Sequence, residues 1–142
     1  MVTRLYTHPI YLEHLMPAGH PERPDRLRAL ERALEAEAVE RLDRHLSPMG
    51  DIETVLYAHP LSHVDKLRAL IPAEGLASID GDTTVSPKSL DAALTAVGAA
   101  NAAVDDVFAG RADNVFVASR PRHYIGLEGF GIEIASTEII QS

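Results

Sequence analysis

The stretch VFVASRPRHY, residues 115–124, decides the fold because it begins as an uninterrupted apolar run and ends in arginine, proline, histidine and tyrosine residues. Four consecutive apolar residues are typical of a strand that is covered on both faces, as in a parallel sheet. In open parallel sheets, ligands bind beyond the carboxyl ends of the strands. We therefore expect the segment from Arg120 to Tyr124 to lie where chemistry takes place, in a protein of the α/β class.

A long helix is predicted directly before this strand. Ser86 and Pro87 supply an N-cap and a first-turn proline, and Gly110 is a natural stop after the last turn. Between them, leucines and valines keep to one side and alanines fill the other inner positions. A helix of about 23 residues would span roughly 34 Å, and its alanines would let it lie close against a sheet. Helix followed by buried strand indicates half of a βαβ unit.

The N-terminal half is predicted to hold one strand, one long loop and three helices. A short strand at residues 4–6 precedes a polar loop over residues 7–25, and long ordered loops are often functional. The spacing of leucines predicts a first helix over residues 24–44. Two shorter helices are expected at residues 52–58 and 62–70.

Bulk composition limits the classes of function. The 142 residues suit one compact domain or a piece of a larger one, and 46% hydrophobic with 24% charged residues is ordinary globular composition. A net charge of −8 offers no general attraction to phosphate backbones, so no direct nucleic-acid binding is expected. No signal peptide and no long apolar stretch are visible, which predicts a cytoplasmic protein without membrane contact. The absence of cysteine excludes disulfides and thiol chemistry.

Two pairs of residues could hold a ligand, and each has a structural alternative. His59 and His63 have the four-residue spacing that can place two imidazoles on one helix face around zinc. Pro60 lies between them and breaks the helix, which favours capping or surface roles. Asp80 and Asp82 could be ligands or an acid–base pair, but Asp-Gly-Asp is usually a turn.

His123 is the best single candidate for proton transfer. It follows the end of the predicted buried strand, and its unperturbed pKa of about 6.5 suits a general base near neutral pH. A lone histidine with no known orienting carboxylate is weak support. The loop GHPERPDRL, residues 19–27, carries two prolines and several charges, and is either a rigid helix entry or part of a site.

Taken in order, four segments resemble the histone deacetylase superfamily, and in particular its bacterial amidohydrolase, acetylpolyamine and acetoin-utilisation members. The segments are THP, then GHPERPDRLRAL, then an Asp-x-Asp-Thr turn leading into SPKSLDAALTAVGAANAAVDDVFAG, and finally NVFVASRP. The resemblance covers residues 1–121 as a partial domain and leaves residues 122–142 as a divergent C-terminal tail. It implies the N-terminal part of an arginase/deacetylase-like three-layer fold with a central parallel sheet.

The resemblance also implies a chemistry, namely hydrolysis of acetyl-lysine or an acetylpolyamine by a zinc-bound water. Zinc in the family is held by an Asp-x-His pair and a further aspartate, and a histidine pair in an RPPGHHA motif handles protons. This chain has His123 followed by Tyr124, so one histidine of the pair remains as the catalytic remnant. On the same resemblance, His20, Pro21 and Asp82 belong to the substrate-binding rim, and Arg26 belongs to an inner cavity.

The end of the sequence departs from the family pattern. After Tyr124 there are 18 residues without any aspartate, so the expected metal ligands are absent and no zinc site is predicted for this chain. We expect a truncated or frameshifted product without deacetylase activity of its own. The alternative is a non-catalytic fragment that associates with another polypeptide. The strand at residues 115–118 would then have an unpaired side, which favours self-association through an incomplete sheet.

Overall fold

A computed structural model describes residues 1–36 and 41–120, together with a strand at residues 139–141. Within these ranges it contains six strands, four α-helices and one 3-10 helix. In chain order they are β1 (Thr3–Thr7), the 3-10 helix (Pro9–Glu13), α1 (Pro24–Leu34), β2 (Asp43–Leu46), α2 (Ile52–Val55), α3 (Leu61–Leu70), β3 (Ala77–Ser78), β4 (Thr84–Val85), α4 (Ser89–Phe108), β5 (Asn114–Val117) and β6 (Ile139–Gln141).

The main sheet has the strand order β2-β1-β5-β6. Strand β1 is central to the parallel part, with Arg4 opposite Asp43 of β2 and opposite Val115 of β5. Helices accompany this parallel sheet, which confirms the predicted α/β class. Strand β6 runs antiparallel to β5. The expectation that β5 has an unpaired side is therefore wrong, because β6 lies there.

Helix α4 covers the sheet through small side chains, as predicted. Its alanines Ala92, Ala96, Ala99 and Ala103 have no exposed surface. The first two belong to an apolar cluster that joins β1, the 3-10 helix and α1, and the last two pack with β1 and β5. Because alanine has no side chain beyond Cβ, the helix backbone approaches the strands closely.

The first helix is shorter than its apolar pattern predicts. Helix α1 ends at Leu34, and the prediction of helix over residues 24–44 is wrong at its end because residues 43–46 form strand β2. Pairing with β1 gives this segment a ladder of backbone hydrogen bonds, and Asp43 there accepts a 2.8 Å bond from Arg4 Nε. Such tertiary contacts outweigh helix propensity, which amounts to a few tenths of a kcal/mol per residue.

Helix α4 begins at Ser89 rather than directly after Ser86. The Ser86 hydroxyl accepts a hydrogen bond from the backbone N of Leu15 at 2.9 Å and donates one to the carbonyl of Glu13 at 2.9 Å. It therefore holds the N-terminal loop instead of capping the helix. Gly110, with φ of +67°, ends the helix where the sequence predicted.

The loop after β2 crosses α4 by direct backbone contact. The amide of Gly50 donates a 2.9 Å hydrogen bond to the carbonyl of Leu94. A Cβ atom on Gly98 would lie 2.2 Å from the carbonyl oxygen of Pro48. Only glycine therefore fits at position 98 with the backbone in this arrangement.

The turn between β3 and β4 has the structural role that an Asp-Gly-Asp sequence favours. The Asp80 carboxylate accepts hydrogen bonds from the backbone N of Asp82 at 2.9 Å and of Thr83 at 2.7 Å.

Among the described helices, none has both the length and the apolar character that crossing a membrane would require.

Candidate functional site

Arg120 follows the carboxyl end of β5, and its side chain is buried at 3% exposure. Its Nε donates a 2.6 Å hydrogen bond to Glu22 Oε1. Its Nη1 donates to the backbone carbonyls of Tyr11 at 3.1 Å and His14 at 3.0 Å. One guanidinium thus fastens the exit of β5 to two separate parts of the N-terminal loop.

Glu22 is the only carboxylate that pairs with Arg120 among the described residues. It is also buried, and its second oxygen accepts a hydrogen bond from Arg26 Nη1. A buried carboxylate is costly unless it is paired and hydrogen-bonded, and here two guanidinium groups fulfil that condition. We call Glu22, Arg26 and Arg120 the Glu22 cluster; it has two positive charges against one negative.

The Glu22 cluster has a hydrogen-bond donor that no described residue uses. Burial lowers the pKa of Arg120, and the hydrogen bond to Glu22 opposes that shift. Arginine stays protonated in proteins at neutral pH, so the positive charge remains. The Nη2 atom of Arg120 has no hydrogen-bond partner among the described residues. The cluster can therefore attract a carbonyl or carboxylate oxygen.

His20 and Asp82 lie together beside the Glu22 cluster, which His20 contacts through the backbone of Glu22. His20 Nε2 is 3.3 Å from Asp82 Oδ1, and the backbone N of Glu22 donates a 3.1 Å hydrogen bond to His20 Nδ1. The backbone O of Glu22 lies 3.2 Å from the same Nδ1, so this ring nitrogen has a partner at Glu22 in either tautomer. The Asp82 side chain is 89% exposed, so it is accessible to a substrate. Gly19, with φ of +84°, makes the turn that precedes His20.

The four predicted pocket residues are therefore arranged in two connected groups. His20 and the exposed Asp82 form one pair, and Arg26, whose side chain is 43% exposed, joins the Glu22 cluster from its outer side. Pro21 lies exposed between the two groups. The predicted catalytic residue, His123, lies outside the described residues, as does nearly all of the predicted tail. The proposed substrate-binding and catalytic roles of all five remain predictions.

Sequence reasoning missed the Glu22–Arg120 pair, although a signal was present. Glu22 lies between Pro21 and the proline that starts α1, and Arg120 comes one serine after the apolar run of residues 115–118. Charged residues in such stiff or buried settings favour an ion pair between them. Their 98-residue separation hides the partner from any local pattern.

The same end of the sheet holds further buried polar groups. His14 Nδ1 and Ser89 Oγ are 2.7 Å apart, and both residues are buried. The buried hydroxyls of Thr7 and Ser119, at the carboxyl ends of β1 and β5, have no hydrogen-bond partner in the part of the chain that the structure describes. Tyr11 is fully buried, and burial raises the pKa of its phenol to about 12. This end of the sheet is polar, and several of its buried polar atoms lack partners within residues 1–36 and 41–120.

His59 and His63 do come together, contrary to the expectation from Pro60. Their rings stack with centroids 4.9 Å apart at 25°, although α3 begins only at Leu61. They line an apolar cavity between α2, α3 and α4. Burial lowers the pKa of His59, and the proximity of His63 lowers it further, which favours the neutral imidazole.

The described residues do not fit a zinc ion. Across residues 1–36 and 41–120, no three histidine or carboxylate side chains come together in a way that could hold a metal. The His59–His63 pair has no third ligand, and structural and catalytic zinc sites use three or four protein ligands. No reaction step is therefore assigned to a metal held by these residues.

Comparison with known proteins points to one family. The histone deacetylase domain matches residues 20–124. The chain is 36% identical over 105 residues to a histone deacetylase-like amidohydrolase of Pseudomonas aeruginosa, a match covering 73% of this chain and 27% of that protein. It is 34% identical over 132 residues to an uncharacterised protein of Synechocystis sp., covering 85% of this chain and 41% of that protein.

The fold agrees with these matches. The crystal structure of the HDA15 HD domain superposes with a TM-score of 0.77 at 26% identity, covering 95% of this chain and 41% of that chain. The chain thus spans 27% to 41% of the lengths of the proteins it matches. Because the domain match covers most of the 142 residues, the chain belongs to the histone deacetylase family.

Proposed function

We propose that the chain forms the N-terminal part of a deacetylase-type amidohydrolase pocket for acetyl-lysine or an acetylpolyamine, in the cytoplasm. The observation that carries this proposal is the Glu22 cluster. It lies at the carboxyl end of the parallel strands, inside the region that matches the deacetylase domain. It has a surplus positive charge and, among the described residues, an unpartnered donor on Arg120. Ligands bind at this end of open α/β sheets.

The residues of the chain would divide the work of binding. The exposed carboxylate of Asp82, next to His20, would accept hydrogen bonds from a substrate at the rim. Arg26 and Arg120 would favour a carbonyl or carboxylate oxygen deeper in the pocket. The resemblance assigns proton transfer to His123, which would accept a proton near neutral pH.

We further propose that these 142 residues alone do not hydrolyse acetyl amides. The family resemblance implies a zinc-bound water, and the described residues contain no ligand set for zinc. No aspartate follows His123, and Tyr124 stands where the resemblance predicts a second histidine. Without an activated water, the pocket residues would bind but not cleave.

The direct test is to purify the chain in zinc-containing buffer and measure bound metal together with hydrolysis of an acetyl-lysine peptide and an acetylpolyamine. We expect less than stoichiometric zinc and no hydrolysis above the buffer rate. The histone deacetylase-like amidohydrolase of Pseudomonas aeruginosa serves as the positive control under the same conditions. Stoichiometric zinc with measurable turnover would overturn the proposal of inactivity.

A second test addresses the origin of the divergent tail. Translating the DNA around codon 122 in all three frames should reveal a proline-glycine-His-His run, followed later by an Asp-x-His, if the tail results from a frameshift. Finding neither motif in any frame would mean that the tail is a true divergence of this chain.

The alternative is a non-catalytic chain that associates with another polypeptide. Its support is the apolar strand β5, whose outer side is covered by only the three residues of β6 in the part of the chain that the structure describes. Size-exclusion chromatography with light scattering discriminates between the two. A monodisperse monomer over a wide concentration range would count against the alternative.

A further inference from the structure

The described sheet protects its two sides in different ways. On one side, β2 has the sequence DRHL, and Asp43 forms an ion pair with Arg4 and lies 2.9 Å from His45 Nε2. Charged residues on an edge strand discourage pairing with other chains. On the other side, β5 is apolar, and β6 covers its backbone. Protection of β5 against pairing with other chains therefore depends on the presence of β6 rather than on charged side chains.

Strand β5 has the greater need for a partner. Val115 has no exposed surface and Val117 is 8% exposed, and β1 already pairs with one side of the strand. The register with β6 places Asn114 opposite Gln141 and Phe116 opposite Ile139. Removing β6 would leave a row of unpaired backbone groups beside an apolar core strand, which is a template for another strand.

Strand β6 is short and distant in sequence, which makes its pairing easy to exchange. Its three residues provide few hydrogen bonds, each contributing about 0.5–1.5 kcal/mol net. Residues 118–138 link β5 to β6, and 21 residues can extend to roughly 70 Å. A segment of this length is long enough to reach from one copy to a neighbouring copy.

We propose that β6 is an exchangeable strand, so that residues 139–141 of one copy pair with β5 of a second copy in the same register. Both copies have the same sequence, so the strand of either copy can form the same ladder with β5. Two reciprocal exchanges give a closed two-fold dimer in which both β5 strands are covered. The proposal does not depend on deacetylase chemistry.

The natural chain has no cysteine, which allows a specific cross-linking test. We would prepare Asn114→Cys and Gln141→Cys as separate chains, label one with ¹⁵N, unfold and refold them together at high concentration, and oxidise the mixture. Opposite residues on antiparallel strands have Cα atoms about 4.5–5.5 Å apart, which a disulfide spans. We expect a 114–141 disulfide between labelled and unlabelled chains, identified by mass spectrometry.

The matched control replaces Gln141→Cys by Glu74→Cys, because Glu74 is exposed in a loop away from this pairing. The 114–141 yield should exceed the 114–74 yield at least tenfold. The double variant N114C/Q141C, oxidised at low concentration, should form the same bond within one chain, and circular dichroism should show that every variant is folded. Equal yields for the test and control mixtures, or a disulfide found only within single chains at all concentrations, would overturn the exchange.

Discussion

Each end of the parallel sheet has an arginine–carboxylate cluster, but among the described residues only the cluster at the amino end has a partner for every buried polar side-chain atom. At the amino end, Asp106 accepts hydrogen bonds of 2.7 Å from Arg4, Tyr6 and Arg111. At the carboxyl end, Glu22 pairs with Arg26 and Arg120, yet buried polar atoms nearby have no partner among the described residues. At the amino end, the bonds to Asp106 join α4 to the sheet. At the carboxyl end, the donor atom Nη2 of Arg120 has no partner in the part of the chain that the structure describes.

The Asp106 carboxylate at the amino end stays ionised and fully hydrogen-bonded, which agrees with a purely structural role. Burial by itself would raise the pKa of Asp106, but hydrogen bonds from Tyr6, Arg111 and Arg4 outweigh it and lower the pKa to about 2. The same contact raises the pKa of Arg4. A carboxylate that receives three donors has little left to offer a ligand. The difference teaches that binding capacity lies where hydrogen bonding is incomplete, not simply where charges are buried.

The largest expected effect comes from Glu22→Gln. This change leaves the fully buried Arg120 without a counter-charge, and breaking a buried ion pair in this way costs about 3–5 kcal/mol. The measurement is the free energy of unfolding in urea at pH 7. Glu74→Gln, at an exposed loop position, is the matched control and should change stability by less than about 0.5 kcal/mol.

A double variant separates charge from packing at the same site. Glu22→Gln combined with Arg120→Met removes both charges and should recover part of the lost stability, because no unpaired charge remains. If Glu22→Gln alone costs less than 1 kcal/mol, the pair is solvated and the contrast between the two ends of the sheet fails.

The second effect concerns Asp106 and depends on pH. Its folded pKa of about 2 lies below the reference value of 3.8, so the carboxylate contributes about 2 kcal/mol of stability. That contribution is complete above pH 5 and is lost as pH falls towards 2. Asp106→Asn should therefore be less stable than the natural chain at pH 7 by about this amount, and the gap should narrow on acidification. A gap that is constant from pH 7 to pH 2.5 would contradict the assigned pKa shift.

The smallest effect should come from Arg111→Ala. The Arg111 side chain is 54% exposed, so water can replace its hydrogen bond to Asp106, and exposed ion pairs contribute about 0–1 kcal/mol. Arg4 and Tyr6 would still bond the carboxylate. A loss above 2 kcal/mol in thermal or urea unfolding would show that the amino end lacks this redundancy.

The elements with local signals could be predicted from the sequence. The apolar run of β5 and the alanine-rich face of α4 indicated a parallel sheet with a covering helix, and both are present. Strand β2 could not be predicted, because its partner residues in β1 lie 39 positions earlier and its own sequence, DRHL, has no strand pattern. Local propensity is weak, and long-range pairing overrides it.

The candidate site was predictable in part. The family resemblance pointed to His20 and Asp82, which lie 62 residues apart in sequence and 3.3 Å apart in space. It did not reveal Glu22, because the same nine-residue loop reads equally well as a rigid helix entry. The stacking of His59 on His63 was also hidden, since helix periodicity describes only residues within one helix, and His59 precedes α3.

Gly98 lies within α4, between the residues of this helix that reach the two ends of the sheet. The backbone of the loop at residues 48–50 lies against this glycine, so a rotation of α4 by one residue would push a neighbouring side chain into the Pro48 carbonyl. Ser89 and Asp106, near opposite ends of α4, are about 25 Å apart along the helix axis. With the rotation of the helix set at Gly98, His14 meets Ser89 at one end while Arg4 meets Asp106 at the other. The contact at Gly98 thus sets the orientation of α4 for both the His14–Ser89 contact and the Arg4–Asp106 contact, although these two sites do not touch each other.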